Sequence, residues 1–301
     1  MSSWKLTGFG SRELIREALV AQESALDWDP EVVLTGFEIA DDKPEDWRLD
    51  AYFPREPTAA DRAAIKALFA GKPPRLRAEK LPDEDWVTLS QQGIEPIRAG
   101  RFEVRTPEYA ASTGCVSFVI PASQAFGTGQ HETTAGCLAM LDAMKRSGVV
   151  VRNVADIGTG TGLLAFAALR LWRGALATAS DIDAVCVEVV EFNGAENGFT
   201  MGARASELTM VVADGMADPL LQARGPYDLL IANILAGPLV ELAPDFAQAV
   251  TPGGNLLLAG LLQTQEARVR RAYRKAGFRL AARMVNGDWS ILWLRRRRAT
   301  R

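Results

Sequence analysis

The sharpest chemical signal in the chain is the run Asp156-Ile157-Gly158-Thr159-Gly160-Thr161-Gly162. It follows an apolar, strand-like segment and opens an apolar, helix-like one. Glycine at these positions lets the backbone turn tightly and approach a ligand closely. The N–H groups at the start of a helix suit a nucleotide. The spacing is G-x-G-x-G with Leu163 in the sixth place, so the dinucleotide fingerprint G-x-G-x-x-G is not met. No Gly-Lys-Ser/Thr follows, so the run is not a phosphate-binding P-loop either. Asp156 precedes the glycines and can accept from loop N–H groups or from a ligand amine. The competing reading of Gly158–Gly162 is a tight turn with no ligand, which leaves three glycines at one strand-to-helix junction unexplained.

Three further polar residues end strand-like runs, where side chains of a parallel sheet face the ligand crevice. Asp181, in Ser180-Asp181-Ile182-Asp183, can accept two hydrogen bonds from a ribose diol. Asp183 competes for that role or caps the helix beginning at Ala184. Asp214, in Val211-Val212-Ala213-Asp214-Gly215, stands where an adenine amino group would come, or simply makes a turn. Asn233, in Ile231-Ala232-Asn233-Ile234-Leu235, can hold a substrate amine with its amide carbonyl and aim the amine's lone pair. Its alternative is to cap the helix near Pro238.

What the chain lacks narrows the chemistry further. One histidine, His131, and three widely spaced cysteines, Cys115, Cys137 and Cys186, make a His/Cys zinc cage hard to build. Any Ser-His-Asp triad would have to use His131. The odd, scattered cysteines speak against a disulfide framework and for a reducing, cytoplasmic setting. No apolar run reaches the roughly 18–20 residues of a membrane helix, and the start MSSWKLTGFGSREL does not read as a signal peptide.

The 301 residues and 48% hydrophobic content allow one large domain or two smaller ones, each with its own core. The net charge of −3 is uneven. Arg295, Arg296, Arg297, Arg298 and Arg301 read as a basic tail, and without them 29 basic residues face 37 acidic ones. The body therefore carries no electrostatic footprint for nucleic acid.

The elements that must position these residues follow from periodicity. Residues 1–80 predict β-α-β-β-α-β, the ferredoxin-like split motif. The strands are Lys5–Phe9, Glu31–Ile39, Asp46–Phe53 and Arg75–Lys80, with a polar turn at Asp41–Pro44. Ser11 caps a helix to about Leu26, and Thr58 with Asp61 makes a capping box for a second that stops at Gly71. Residues 81–105, with Pro82, Trp86, Gly93, Ile94 and Pro96, read as a connector. A strand at Cys115–Ile120, a polar loop Phe126-Gly-Thr-Gly-Gln-His-Glu-Thr-Thr134 and a helix from Thr134 to Arg146 come next.

The remainder alternates strands with helices, which predicts a parallel sheet covered on both faces. The strands are Val151–Ile157, Ala175–Asp181, Leu208–Ala213, Tyr227–Ala232 and Asn255–Leu261. The helices are Leu163–Leu171, Ala184–Asn197, Pro238–Ala249 and Glu266–Ala276. Phe278–Val285 and Trp289–Leu294, joined at Asn286-Gly287, form a terminal hairpin. Five parallel strands and a final hairpin resemble the seven-stranded class I S-adenosylmethionine-dependent methyltransferase fold more than a nicotinamide domain. The fold class is thus α/β, a Rossmann-like domain over residues 106–294, preceded by a small α+β ferredoxin-like domain and followed by the tail at 295–301.

Across nearly its whole length the chain resembles the ribosomal protein L11 methyltransferase family. Four pieces carry the resemblance: Phe126–Thr134, Asp156–Gly162, Asp181-Ile182-Asp183 and Asn233-Ile-Leu-Ala-Gly-Pro-Leu239. The first and last are specific to that family; the middle two are shared by many methyltransferases. Ala259–Gln265 and Trp289 also look like the family. The resemblance implies S-adenosylmethionine as methyl donor, α-amino and lysine ε-amino groups of ribosomal protein L11 as acceptors, and an N-terminal domain that recognises that protein. It implies that Thr134, Gly158, Asp181 and Asn233 contact the cofactor, that Phe126–Thr134 folds over it, and that Asn233 orients the nucleophile. With the residues read above, the candidate cofactor set is Phe126, Thr134, Asp156, Gly158, Gly160, Asp181, Asp214 and Asn233, with Asn233 the catalytic residue and no metal. A monomer without membrane or direct nucleic-acid contact is expected.

Two departures stand out. Glu132 occupies the place where the family has proline after the loop histidine, which bears on the loop's rigidity and target specificity. Thr159 and Thr161 replace the more usual Cys or Ser. His131 can take a proton, or pack in or cap the loop. Other readings are a methyltransferase acting on lysines of a different protein, an RNA-binding ferredoxin-like module with a relic cofactor site, and a nicotinamide oxidoreductase. The 12 basic and 15 acidic residues of 1–80 argue against the RNA module, and Leu163 argues against the oxidoreductase.

Overall fold

The structure, a computed structural model, describes residues 4–23, 28–29, 32–39, 46–80, 96–121 and 130–298. Phe126, the turn at Asp41–Pro44, the part of the connector before Pro96 and the loop at 122–129 lie outside them. The chain divides into two compact units, Met1–Leu89 and Ser90–Arg301.

The first unit contains β1 (Trp4–Ser11), α1 (Arg12–Glu23), β2 (Val33–Glu38), β3 (Asp46–Phe53), α2 (Ala59–Ala67) and β4 (Arg77–Lys80). The antiparallel sheet runs β2-β3-β1-β4. Alternation puts Leu49, Ala51 and Phe53 of β3 on the core side with Leu6, where they meet Ile15 and Ala18 of α1 and Ile65 of α2. The Ser11 hydroxyl accepts from Leu14 N. The Thr58–Asp61 capping box is present, and the Arg55 guanidinium beside Asp61 (2.6 Å) holds that carboxyl far below the usual range. Gly71 does not stop α2, which ends at Ala67 with Leu68 as its cap.

The second unit opens with three short strands, β5 (Ile97–Ala99), β6 (Phe102–Arg105) and β7 (Val116–Val119). Residues 97–105, read as connector, are therefore paired structure: β5 runs antiparallel to β6, and β6 parallel to β7. Strands of three and four residues are too short to show a period, but Phe102 and Phe118 are fully buried and stack at 5.9 Å. Helix α3 (Gln130–Arg146) starts four residues before the expected Thr134, so 130–134 are helical rather than loop.

The rest follows the alternation. It comprises β8 (Asn153–Ile157), α4 (Leu163–Leu171), β9 (Leu176–Asp181), α5 (Val185–Glu196), β10 (Leu208–Val212), α6 (Pro219–Arg224) and β11 (Tyr227–Asn233). Then come α7 (Ala236–Glu241), α8 (Ala243–Ala249), β12 (Val250–Leu262), α9 (Gln263–Lys275), β13 (Phe278–Asn286) and β14 (Trp289–Arg296). The seven-stranded sheet runs β10-β9-β8-β11-β12-β14-β13, with every strand in one direction except β14, which is antiparallel to both β12 and β13. The chain leaves β8 toward β9 and β10, then returns across to β11 and β12. The order reverses between β8 and β11, so a crevice opens beyond their carboxyl ends.

Four expectations change. The single helix Pro238–Ala249 is two helices, and α6 was not foreseen. The hairpin loop is Gly287-Asp288, because Asn286 still pairs with Trp289; glycine with positive φ takes the first loop position. Arg295 and Arg296 are not tail but the end of β14, and their guanidiniums bond Gly253 O and Val250 O. Core packing reaches directly under the glycine run, where Phe166 of α4 is buried and stacks on Phe199 at 4.6 Å. Phe166→Ala is expected to cost about 3–5 kcal/mol of stability through the cavity it leaves; chemical denaturation of the full chain checks this, and a cost near zero would show that the layer collapses freely.

Candidate active site

The glycine loop is held by its neighbours on both sides. Ser180 O, at the end of β9, accepts from Gly158 N (2.8 Å) and Thr159 N (2.9 Å). Asp181 Oδ2 accepts from Gly160 N (2.9 Å), and Thr159 O accepts from Gly162 N (3.1 Å). These four N–H groups are thus spent within the protein. Gly158 has φ +71°, and a Cβ there would sit 2.3 Å from Ile234 Cγ2. Gly260, on β12, has φ +80° and a Cβ position 2.3 Å from Ile234 O. Both residues must be glycine because the loop after β11 passes directly against them.

Asp156 is buried, 1% exposed, and its Oδ2 accepts from Thr159 Oγ1 (2.7 Å) and Ala165 N (3.1 Å). It therefore ties the loop to the first turn of α4. Its Oδ1 is buried with no partner. Burial pushes the Asp156 carboxyl up to about 7, against the two hydrogen bonds, with the nearby Asp181 charge adding to the rise.

Above the loop lies a cavity of about 390 Å³, within the range of small-molecule sites. Thr133, Thr134, Gly158, Gly160, Asn233 and Trp289 are among its lining residues. The structure thus brings together Thr134, the glycines and Asn233 from three distant segments. Asn233 does not cap a helix: α7 begins at Ala236 after Leu235. Its amide nitrogen donates to Thr133 Oγ1 at 3.4 Å, which leaves the carbonyl oxygen as the acceptor.

Asp181 lies beside this cavity rather than in its wall, with Oδ1 accepting from Asp183 N (3.1 Å). Each carboxylate oxygen has a second lone pair, so it retains capacity for a diol. Asp183 Oδ1 accepts from Val185 N (3.0 Å), the first residue of α5, while Ala184 holds the N-cap position. Asp214 is not gathered in. It is exposed, its carbonyl closes a turn with Ala217 N, and it borders a separate hollow with Met216 and Leu242.

Thr133 and Gly260 were missed as site residues. The adjacent Thr133-Thr134 pair was visible, but only the helical phase of α3 shows that both face the cavity. Glu132 sits in the first turn of α3, where its carbonyl accepts from Asn286 Nδ2 (2.9 Å). The hairpin thereby steadies the first turn of α3. Cys137, further along α3, is fully buried, and burial pushes its thiol pKa upward.

A mixed seven-stranded sheet with its antiparallel pair last, a glycine loop at the switch point and a carboxylate at the end of the next strand define an α/β methyltransferase. The family model described as "Ribosomal protein L11 methyltransferase" matches residues 4–297. The ribosomal protein L11 methyltransferase of Rhizobium leguminosarum bv. trifolii is 40% identical over 255 residues, 83% of this chain and 84% of that protein. The one from Caulobacter sp. is 40% identical over 257 residues, 83% of each. The solved structure of ribosomal protein L11 methylase from Lactobacillus delbrueckii subsp. bulgaricus superposes with a TM-score of 0.56 at 27% identity. That match covers 67% of this chain and 97% of the other. The chain belongs to the ribosomal protein L11 methyltransferase family. No helix among the described residues is long and apolar enough to cross a membrane.

The Asp156 environment has a measurable signature. The unfolded chain ionises this carboxyl near the ordinary value of about 3.9, whereas the folded chain holds its proton to about 7. The folded state then binds more protons between these values, so this residue's contribution to stability falls as pH rises from about 4 to about 7. In ligand-free protein, the stability of wild type relative to Asp156→Asn should decline across that window; a difference constant with pH would contradict the assignment.

Proposed function

We propose that the chain transfers methyl groups from S-adenosylmethionine to amino groups of ribosomal protein L11, both α-amino and lysine ε-amino. The observation that carries this reading is the convergence of Asn233 with the glycine loop and Thr134 on one cavity. A substrate other than L11 is not favoured, since the relatives reported above are all named for that protein.

The residues present fit the cofactor. The open space beside Gly160, where a Cβ would meet nothing within 4 Å, leaves room for a ligand against the loop. The buried, unpartnered Asp156 Oδ1 behind the loop is an acceptor that suits a ligand amine or a bridging water. Gly158, Gly160, Thr134 and Asn233 would hold the cofactor at the cavity, and Asp181 would take the ribose diol. The resemblance would add Phe126, outside the described residues, to the cofactor contacts, and Asp214 would serve the adenine amino group only after moving from its present turn. When bound, the cofactor supplies a methyl group on a sulfonium, a good leaving group.

The protein's own task is then mostly positioning. The acceptor amine must lose its proton to bulk water before attack, since only the neutral amine has a lone pair to offer. The Asn233 carbonyl oxygen accepts a hydrogen bond from the neutral amine and turns its lone pair toward the methyl group. The Asn233 amide nitrogen, donating to Thr133 Oγ1 on α3, fixes which end of the amide faces the amine. The buried Thr133 makes that choice rigid.

The β-α-β-β-α-β order and the sheet order β2-β3-β1-β4 support reading the first unit as ferredoxin-like, and we assign it to recognition of the protein substrate. Residues 1–80 then form the recognition domain, and the transferase domain follows a connector. The chain acts in the cytoplasm and as a monomer.

The test is methyl transfer to purified L11, read by intact mass. Wild type should add multiples of one methyl group, and an unchanged mass would reject the reading. Asn233→Ala should lower kcat by about 100-fold or more, roughly 2.7 kcal/mol, and weaken cofactor binding far less than that; full turnover in that variant would remove Asn233 from the mechanism.

A further inference from the structure

We infer that the outer edge of the second unit carries an RNA-binding surface, built from α9, the start of β13 and the chain exit after β14. Residues 263–298 hold eleven basic and two acidic side chains, while the rest of the chain holds 23 basic and 35 acidic. The fold gathers those charges. Arg271, Arg274, Arg279 and Arg297 line one cleft of about 430 Å³. Arg297 is mounted there by the bond from its backbone N to Gly277 O (2.9 Å), so this part of the chain end is anchored to the turn between α9 and β13.

Among the described residues, no carboxylate forms an ion pair with these four guanidiniums. Of the two acidic residues in the region, Glu266 is buried and already accepts from Arg270, Arg283 and Ser290. Asp288 sits in the hairpin loop at the far end of β13. Interaction with the negative end of α9 accounts for Arg274 and Lys275. It does not account for Arg279 and Arg297, which come from other elements to the same cleft. Like charges around one concavity repel, and an anion among them removes that cost.

The chemistry favours a phosphate backbone. Ten of the eleven basic residues are arginine, whose planar fork matches phosphate in two-point contacts. The charge also extends past the cleft to Arg268, Lys275 and Arg298, all exposed, which suits a polymer more than a single ion. Phe278 and Tyr273 in the cleft are buried, at 1% and 0% exposure, so they offer no face for a base to stack on. Binding through phosphates alone is independent of sequence and steep in salt. Four neutralised phosphates on a single strand give a log–log slope of about −3.

The experiment is fluorescence anisotropy of the full chain with a labelled, mixed-sequence, single-stranded RNA across a salt series, without cofactor or protein substrate. Wild type should bind with the slope above, and Arg271→Glu/Arg274→Glu/Arg279→Glu should weaken binding about 30-fold or more and flatten the slope. The same three positions changed to Lys should retain most of the affinity. Methyl transfer to free L11 should be unchanged in the Glu variant, which also reports that it is folded. Should it not fold, the single Arg297→Glu at the exposed strand exit must weaken RNA binding by several-fold on its own. RNA affinity unchanged in these variants would overturn the inference. So would no binding by wild type at physiological salt, or equal competition by polyglutamate or by anionic phosphatidylglycerol vesicles. Because RNA binding is read separately from methyl transfer, either reading can fail while the other stands.

Discussion

The site depends on one buried carboxyl group. Asp156 leaves β8 and ties Thr159, within the glycine loop, to Ala165, in the first turn of the next helix. Those contacts set where the loop turns and where α4 begins. Ser180 O and Asp181 then fasten the loop from the adjacent strand. A loop of three glycines has large conformational entropy to lose. Here the loss is offset by hydrogen bonds fixed to the sheet, so the loop is held in one shape. The arrangement is costly in one respect. Half of the Asp156 carboxyl has no partner, and a buried polar atom without a hydrogen bond opposes folding.

The same constraint explains the crowding around Ile234. The chain turns immediately after Asn233, and the backbone at Gly260 and the side of the glycine loop both press on that turn. Gly158 in the loop after β8 and Gly260 on β12 allow three segments to meet at the switch point. Asn233 stands at the centre of this contact, supported from the opposite side by Thr133. A polar side chain between a glycine loop and a buried threonine has little rotational freedom. That rigidity is what a reaction governed by positioning requires, since small errors in approach cost rate steeply.

Long, periodic segments were legible in advance. Asp46–Phe53 and Leu163–Leu171 have the boundaries their patterns predict. The strand-to-helix order implied the parallel sheet, and the glycine spacing excluded a dinucleotide or P-loop site. Short segments were not legible. Ile97–Ala99 and Phe102–Arg105 become strands only because they pair with each other and with Val116–Val119, a contact local pattern does not reveal. The start of α3 was missed for a related reason. Gly-Thr-Gly-Gln-His reads as loop by composition, yet the hairpin bond from Asn286 to Glu132 O steadies a helix that is already under way at Gln130.

By itself, the order of residues determined the class of fold, the glycine loop, and Asn233 at the end of a strand. These follow from local periodicity and backbone freedom, which act between neighbours in the chain. The tertiary structure alone decided which polar residues share a cavity. Thr133 joined Asn233, while Asp214 stayed in its turn, because distances across the sheet depend on strand order and helix phase. It also decided the meaning of the arginines at the chain's end. Summed along the sequence they were a tail, but strand pairing carried Arg295 and Arg296 into the sheet and set Arg297 beside the arginines of α9. Charge acts through space, so its effect is set by the fold and not by position along the chain.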